Sequence, residues 1–402
     1  MMLETYDIAI IGGGINGIAT GIALLESKAN IKVIILEKEP EIGLHASGRN
    51  SGVLHSGFYY SPKSLRAIFC KQGNVELTNF CKDSNIPILN TGKVVVTRNE
   101  SELNDLTRLA ERGQENNIDI ELMPDTELKK IEPLAKTVRS FIYSRTTSVS
   151  DPKLVIEKLL DKYLYLGGKI LYSQKVRLKF NHAEVIIGPE MKIKAKFIVN
   201  TAGVHSQKIS QQIGIGNEYG FIPFLGKYLI APNKLGLNSL VYPVPNPDRP
   251  FLGVHLTKTT NNKIKIGPTA IPVLGKEQYT ISSALGSTEI LETLKSAWRF
   301  IRNNPREVSK FLAHEWSTLN SKKLVKEASY LVPDVSIINN WEKGNAGIRA
   351  QLVDLKIGVL VEDFSIKEFQ NSLHLLNGIS PGWTCALPFG RYLADHFILP
   401  KL

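Results

Sequence analysis

The sequence predicts an α/β protein in two parts: a Rossmann-like dinucleotide-binding domain, discontinuous in the chain, and an α+β domain built on an antiparallel sheet. Three observations carry that expectation. A strand, glycine turn, helix and second strand open the chain at residues 6–37. Short, turn-separated strands fill 221–269. Strand-like and helical segments then return over 358–402 with no flexible linker between the parts. The 402 residues suffice for two or three domain-sized units.

Tyr6 to Ile11 is an isoleucine-rich run that reads as a buried parallel strand. Gly12-Gly13-Gly14-Ile15-Asn16-Gly17 follows, and Ile15, Ile18, Ala19, Ile22 and Leu25 then recur at helical spacing. Ile31 to Leu36 reads as the second strand and ends at Glu37. In such a unit Gly12 permits the tight turn, Gly14 lets a pyrophosphate approach the backbone, and Gly17 lets helix and strand pack closely. The helix start at Ile15 and Asn16 offers free amides and a partial positive charge to phosphates. Glu37, with Lys38 beside it, is placed to meet ribose hydroxyls. An acid there repels a 2′-phosphate, which disfavours NADP and leaves FAD and NAD. A glycine-rich turn without a nucleotide is the bland alternative.

HASGRNSGVLHSGFYY, residues 45–60, is too glycine-rich for a helix and too polar for a buried strand. A large cofactor crossing the domain explains an extended small-residue segment here, so Ser47, Arg49, Asn50, Ser51 and Gly52 are expected contacts. Ser61-Pro62 reads as the N-cap and first residue of the next helix, with Leu65, Ile68, Phe69 and Phe80 on its inward face.

GKVVVT (92–97) reads as a strand outside the first unit, and 100–116 as a surface helix with Leu103, Leu106 and Leu109 inward. Asp151-Pro152 starts a helix carrying Leu154, Val155, Leu159 and Leu160, stopped by Gly167-Gly168. After several short strands, Lys196 to Asn200 runs into Thr201-Ala202-Gly203, a candidate second nucleotide-contacting turn. Phe251 to Lys258 alternates, with Phe251, Gly253, His255 and Thr257 on one face. That sheet suits the floor of a substrate pocket. Residues 287–303 and 306–314 read as helices, 358–361 and 373–376 as strands, and Gly378-Ile-Ser-Pro-Gly382 as the turn into a last helix. The expected boundaries are 1–90, 145–215 and 335–402 for the cofactor domain, and 91–144 with 216–334 for the substrate domain.

Composition is ordinary for a globular protein, at 43% hydrophobic and 22% charged. The net charge of +11 is spread over scattered lysines, with no dense basic block interleaved with aromatics. That argues against a nucleic-acid partner and leaves a peripheral contact with an anionic membrane surface open. Cys70, Cys81 and Cys385 form no metal-ligand pattern and no disulfide framework, which suggests a reducing, cytoplasmic setting. No apolar run approaches the roughly 20 residues that span a bilayer, and a strand starting near Tyr6 leaves no room for a signal peptide. His45, His182, His205, His314, His374 and His396 lack metal-ligand spacing, so no metal is expected. Cys385 reads as a small packed residue.

GGGINGIAT (12–20), SGRNSGVLHSGFYYSPKSLRA (47–67), YPVPNPDRPFLGVHLT (242–257), IGPTAI (266–271), GIRAQ (347–351) and SPGWT (380–384) occur in order along the whole chain. With them the sequence resembles the FAD-dependent L-2-hydroxyglutarate oxidase/dehydrogenase family of D-amino-acid-oxidase-like flavoproteins. The resemblance implies FAD, a two-domain fold, and oxidation of L-2-hydroxyglutarate or a close 2-hydroxy dicarboxylate to the 2-oxo acid by hydride transfer to flavin N5. The chain departs from that family at Arg49, where histidine is usual, and at Leu225-Gly226-Lys227, where Arg-Gly-Glu is usual.

Such a reaction needs a base at the hydroxyl, a cation at the carboxylate and a positive dipole at the reduced flavin. His55 is the first candidate for the base and His255 the second. Arg349 of GIRAQ is the carboxylate partner, close to the cofactor as well. Tyr60, Lys63 and Lys227 are candidates for the distal carboxylate of a diacid, and Tyr228 and Thr257 for further substrate contacts. Ser380, Pro381, Gly382, Trp383 and Thr384 are expected to set a helix N-terminus at the flavin pyrimidine edge, with Val176, Ala202 and Gly203 as further cofactor contacts. Oxygen or a quinone would take the electrons; neither that choice nor the oligomeric state is legible. The competing readings are an amine or amino-acid oxidase of the same fold (glycine or sarcosine type) and a flavin-bearing assembly protein without turnover.

Overall fold

The computed structural model describes residues 5–179, 184–187, 191–247, 251–281, 286–303 and 305–402. His182 and part of the 242–257 stretch lie outside them. The strand Thr5–Ile11, helix Ile15–Ser27 and strand Val33–Leu36 form the opening unit, with Ile8 beside Val33 and Ile11 beside Leu36 in parallel register. Period-two alternation divides the first strand between two layers. Ile8 and Ile10 pack under the helices, while Ala9 and Ile11 face the other layer with Val176, Leu178 and Ile193. Lys169–Leu171 extends the sheet on one side. Met191–Asn200 extends it on the other, followed by Ser372–Leu375, both parallel.

The return of the C-terminus to this sheet follows from close backbone packing. Helix Gly382–Leu393 lies between Ile15–Ser27 and Leu65–Asp83. A Cβ on Gly390 would stand 2.7 Å from the Ala19 carbonyl carbon, and one on Gly73 2.1 Å from the Thr384 oxygen. Only glycine lets the three helices approach so closely.

The second large sheet runs Glu342–Lys343, Leu229–Pro232, Lys263–Gly267, His255–Lys258, Leu240–Pro243, Lys93–Val96, Ser140–Ser144, Ile120–Pro124. It is antiparallel except for the parallel pair Lys93–Val96 and Leu240–Pro243. A smaller sheet pairs Tyr219–Gly226 with Gly347–Asp354 along their full lengths, placing Arg349 opposite Phe224.

Three local expectations change. The helix expected from Pro62 begins at Leu65, because Ser64 accepts from the Ala67 amide at 3.1 Å and Asp363 takes the Leu65 and Arg66 amides at 2.8 and 3.1 Å. Its inward face is Ala67, Phe69, Cys70, Leu77 and Cys81; Ile68 is 43% exposed. Phe251 to Val254 is irregular, since Phe251 turns to pack on Phe224 and Phe311, and the strand starts only at His255.

Candidate active site

A cavity of about 2690 Å³ runs between the layers. A typical ligand pocket measures roughly 300–1,000 Å³, so it has room for a dinucleotide and a substrate together. At one end lies the glycine turn. Gly12 has φ +102°, and a Cβ there would meet the Thr201 oxygen at 2.8 Å; one on Gly17 would meet the Gly12 oxygen at 2.1 Å. A Cβ on Gly14 would approach only the Ser47 hydroxyl, at 3.2 Å. Gly12 and Gly17 thus serve the turn and the packing, and Gly14 keeps the helix start open. The Ile15 amide donates to Ser47 Oγ at 3.0 Å. Glu37 is buried on the cavity wall, its two oxygens accepting from the Gly13 amide at 2.7 Å and the Glu39 amide at 3.0 Å. Those bonds fix the carboxylate and leave further lone pairs for hydroxyl donors.

Asn16, Ser47, Asn50, Ser51, Val176, Ala202 and Gly203 line the same cavity, as do Ser380, Pro381, Gly382, Trp383 and Thr384. Thr384 Oγ1 accepts from the His55 amide at 3.2 Å, tying the 53–55 segment to the last helix's N-terminus. Asn16 Oδ1 and Trp383 Nε1 are buried with no hydrogen-bond partner among the described residues. Buried polar atoms are ordinarily satisfied, so an unpaired acceptor and an unpaired donor facing one cradle fit a polar, ring-bearing cofactor. Gly52 (φ +77°) is off the wall, against the Ser150 oxygen.

Two charged residues of this end are engaged elsewhere. Lys38 pairs with Glu39 and, at 2.6 Å, with Glu277. Arg49 donates to the Leu44 oxygen at 2.5 Å and the Ala346 oxygen at 3.2 Å, with its guanidinium 4.2 Å from the Tyr279 ring centroid. It staples the 45–60 segment to the strand that begins at Gly347.

At the other end His55, His255, Tyr60, Tyr228 and Arg349 come together on the wall. Burial, then the charges of Lys93, His255 and Arg66, push the His55 imidazolium well below the usual histidine range. His55 Nδ1 has no partner among the described residues. Burial likewise pushes His255 down to about 4. The His255 ring stacks on Tyr242 with centroids 3.8 Å apart, and its Nδ1 lies 2.9 Å from the Gly253 oxygen. A proton on Nδ1 satisfies that carbonyl and leaves Nε2 an acceptor. Burial and the neighbouring Arg66 pull Arg349 down to about 10; its Cζ lies 4.5 Å from the Phe251 centroid and its Nε has no partner among the described residues. Lys63 is exposed, while Lys227 and Thr257 lie off the wall. Sequence reasoning missed Arg66, which lines the cavity with its Cζ 4.2 Å from the Tyr60 centroid and its Nε unpaired. It also missed Lys93, fully buried beside both histidines.

A parallel-sheet dinucleotide cradle joined to a cation-rich, histidine-bearing chamber defines a flavin-dependent oxidoreductase. The chain belongs to the FAD dependent oxidoreductase family, whose model matches residues 7–396. It is 37% identical over 398 residues to an L-2-hydroxyglutarate dehydrogenase of Indibacter alkaliphilus, covering 97% of this chain and 98% of that one. It is 30% identical over 415 residues to the mitochondrial L-2-hydroxyglutarate dehydrogenase of Homo sapiens, covering 98% and 89%. Among solved structures it resembles the FAD-bound L-α-glycerophosphate oxidase of Mycoplasma pneumoniae (TM-score 0.74, 23% identity, 97% and 94% covered). It also resembles the glycine oxidase of Geobacillus kaustophilus (TM-score 0.72, 17% identity, 98% and 94% covered). The described residues contain no helix long and apolar enough to cross a membrane.

Proposed function

We propose that this protein is an FAD-dependent dehydrogenase that oxidises L-2-hydroxyglutarate, or a close 2-hydroxy dicarboxylate, to the 2-oxo acid. The observation that carries the reading is the pair of half-buried arginines, Arg66 and Arg349, on the wall of one chamber, each with a buried Nε unpaired among the described residues, beside two neutral imidazoles. A dianion supplies the counter-charges that two such cations need. The similarity to dehydrogenases of that name supports the choice of acid.

When bound along the glycine turn and the 380–384 turn, FAD supplies the two-electron acceptor for the hydride leaving the substrate's Cα. The chain does the rest. Arg349 holds the C1 carboxylate and Arg66 the distal one, each able to bind in bidentate fashion. His55 or His255 takes the hydroxyl proton on a free ring nitrogen, and both are unprotonated at neutral pH for the reasons above. The N-terminus of Gly382–Leu393 contributes its positive dipole where negative charge accumulates on reduction. The exposed apolar face of the Ser287–Asn303 helix favours peripheral contact with an anionic lipid surface, where a quinone would be within reach.

Anaerobic addition of substrates to the yellow holoprotein tests the reading. L-2-Hydroxyglutarate should bleach the flavin, and D-2-hydroxyglutarate, glycine and sarcosine should not. Failure of every 2-hydroxy acid to bleach it would sink the assignment, and bleaching by the amines would replace it with an amine oxidase.

A further inference from the structure

Lys93 opens the strand Lys93–Val96, and alternation puts it on the same face as Val95, among the residues around Phe58 and Tyr242. Every residue of that strand is buried, and Lys93 has no accessible surface. An aliphatic side chain would fill such a position at no cost. An ammonium there costs several kcal/mol unless it is compensated. Its Nζ has no hydrogen-bond partner among the described residues. What surrounds it is a cage of ring faces, with centroids at 4.4 Å for Tyr59, 4.6 Å for Phe58 and 4.9 Å for Tyr242. Aromatic quadrupoles stabilise a desolvated cation without giving it a fixed counter-ion. The cage also connects to the site: Tyr59 and Tyr242 line the cavity, and Tyr242 is the ring on which His255 stacks.

We propose that Lys93 is a positioning residue for the two histidines: on acidification it takes up a proton in their place, and its charge then keeps both imidazoles free to accept the substrate's hydroxyl proton. This rests on the functional reading above only for the identity of that substrate.

The groups facing this region agree with the assignment. Cys70 approaches from the Leu65–Asp83 helix, Tyr59 and His55 from the 45–60 segment, Tyr242 from its strand and His255 from the neighbouring one. Lys265 acts on His255 from the adjoining strand. The charges that act on His55 are those of Lys93, His255 and Arg66, so among the described residues no carboxylate draws a proton onto its ring. Burial brings Lys93 down to about 7, which places its protonation ahead of His255 at about 4 as pH falls. Sites coupled this closely titrate in sequence: the first proton raises the cost of the second. Lys93 is neutral in alkali and charged in mild acid, so its influence on the histidines belongs to the acid side.

Lys93→Met removes the charge and keeps the bulk. The direct measurement is histidine ¹³Cε1 NMR through a pH titration of the holoenzyme, with resonances assigned by His55→Gln and His255→Gln. In the wild type both resonances should titrate well below the ordinary histidine midpoint, about 6.5. In Lys93→Met at least one should move up by about one unit, a tenfold change in proton affinity. Unchanged midpoints in the variant, or a wild-type His55 titrating near 6.5, would overturn the proposal; neither result depends on which acid reduces the flavin. The kinetic counterpart is anaerobic flavin reduction by L-2-hydroxyglutarate. Lys93→Met should match the wild type at pH 8.5 and fall progressively behind it below about pH 5, by about threefold at pH 4.5. A uniform loss at every pH would mark Lys93 as merely structural. Absence of wild-type bleaching at any pH would instead strike the substrate assignment, leaving the NMR result to decide the role of Lys93.

Discussion

On the proposed assignment Arg66 and Arg349 divide the substrate's two carboxylates, so their loss should not look alike. A charge-assisted hydrogen bond contributes about 1.5–3 kcal/mol. Arg66→Met should therefore raise KM for L-2-hydroxyglutarate about 10–100-fold while leaving a 2-hydroxy monocarboxylate such as L-lactate as poor a substrate as before. Arg349→Met should weaken both acids. Steady-state kinetics with the two acids check this, and equal effects of Arg66→Met on both would remove it from the distal carboxylate. The histidines carry a second consequence, in stability. His255 and His374 are held at about 4 by burial, and His55 is held low as well. Unfolded histidine binds its proton near 6.5, so the unfolded state gains protons first and stability should fall as pH drops from about 6.5 toward 4. Denaturant titrations at pH 7.5, 6 and 5 would show it; a flat profile would contradict the burial of these rings. That His55, His255 and Arg349 would share one cavity was legible from the motifs that hold them. Arg66 was not, since an arginine in the first turn of a helix ordinarily faces solvent. Lys93 left one sign: a lysine opening an otherwise wholly apolar strand.

At the scale of elements, what positions Arg66 is the start of the Leu65–Asp83 helix, capped from two places. Ser64 is local, and Asp363 arrives from 298 residues away to take the Leu65 and Arg66 amides, with a third bond from the Phe364 amide. The cap joins this end of the cavity to the segment entering the antiparallel strand Ile366–Phe369. Removing a side-chain cap costs roughly 0.5–2 kcal/mol, so Asp363→Ala should lower Tm by a few degrees. It should also raise KM for the dicarboxylate, because the Arg66 backbone loses its anchor. Thermal unfolding of the holoprotein read against KM separates the two effects; an unchanged KM would show that Arg66 is held by Tyr60 and the Glu362 carbonyl alone. The helix start expected at Pro62 failed for the same reason: the deciding carboxylate is invisible within any local window. The opening strand–helix–strand unit needed no distant partner, and its elements were readable to within two residues.

At the scale of the whole molecule, a net charge of +11 says nothing about where the charge acts. The Ser287–Asn303 helix gives it a place. Its inner side buries Thr293 and Ser296 against the Tyr219–Gly226 strand. Its outer side exposes Leu291 (66%), Leu294 (48%), Trp298 (52%) and Ile301 (40%), a stripe spaced three, four and three residues apart. Exposed Lys295, Arg299 and Arg302 flank it, with the two guanidiniums 5.2 and 5.3 Å from the Trp298 ring centroid. A helix that turns apolar residues outward and borders them with cations suits the boundary of an anionic bilayer, where each basic residue contributes about 1 kcal/mol and the tryptophan sits among headgroups. The holoprotein should therefore sediment with phosphatidylcholine vesicles containing phosphatidylglycerol and not with phosphatidylcholine alone, and high salt should release it. Leu294→Glu/Trp298→Glu should abolish sedimentation and leave anaerobic flavin reduction unchanged, since neither residue lines the cavity. Binding to neutral vesicles as well would assign the stripe to apolar insertion without charge selection. No binding to either vesicle, with a dimer by light scattering that the double variant dissolves, would give the face to a second copy of the chain.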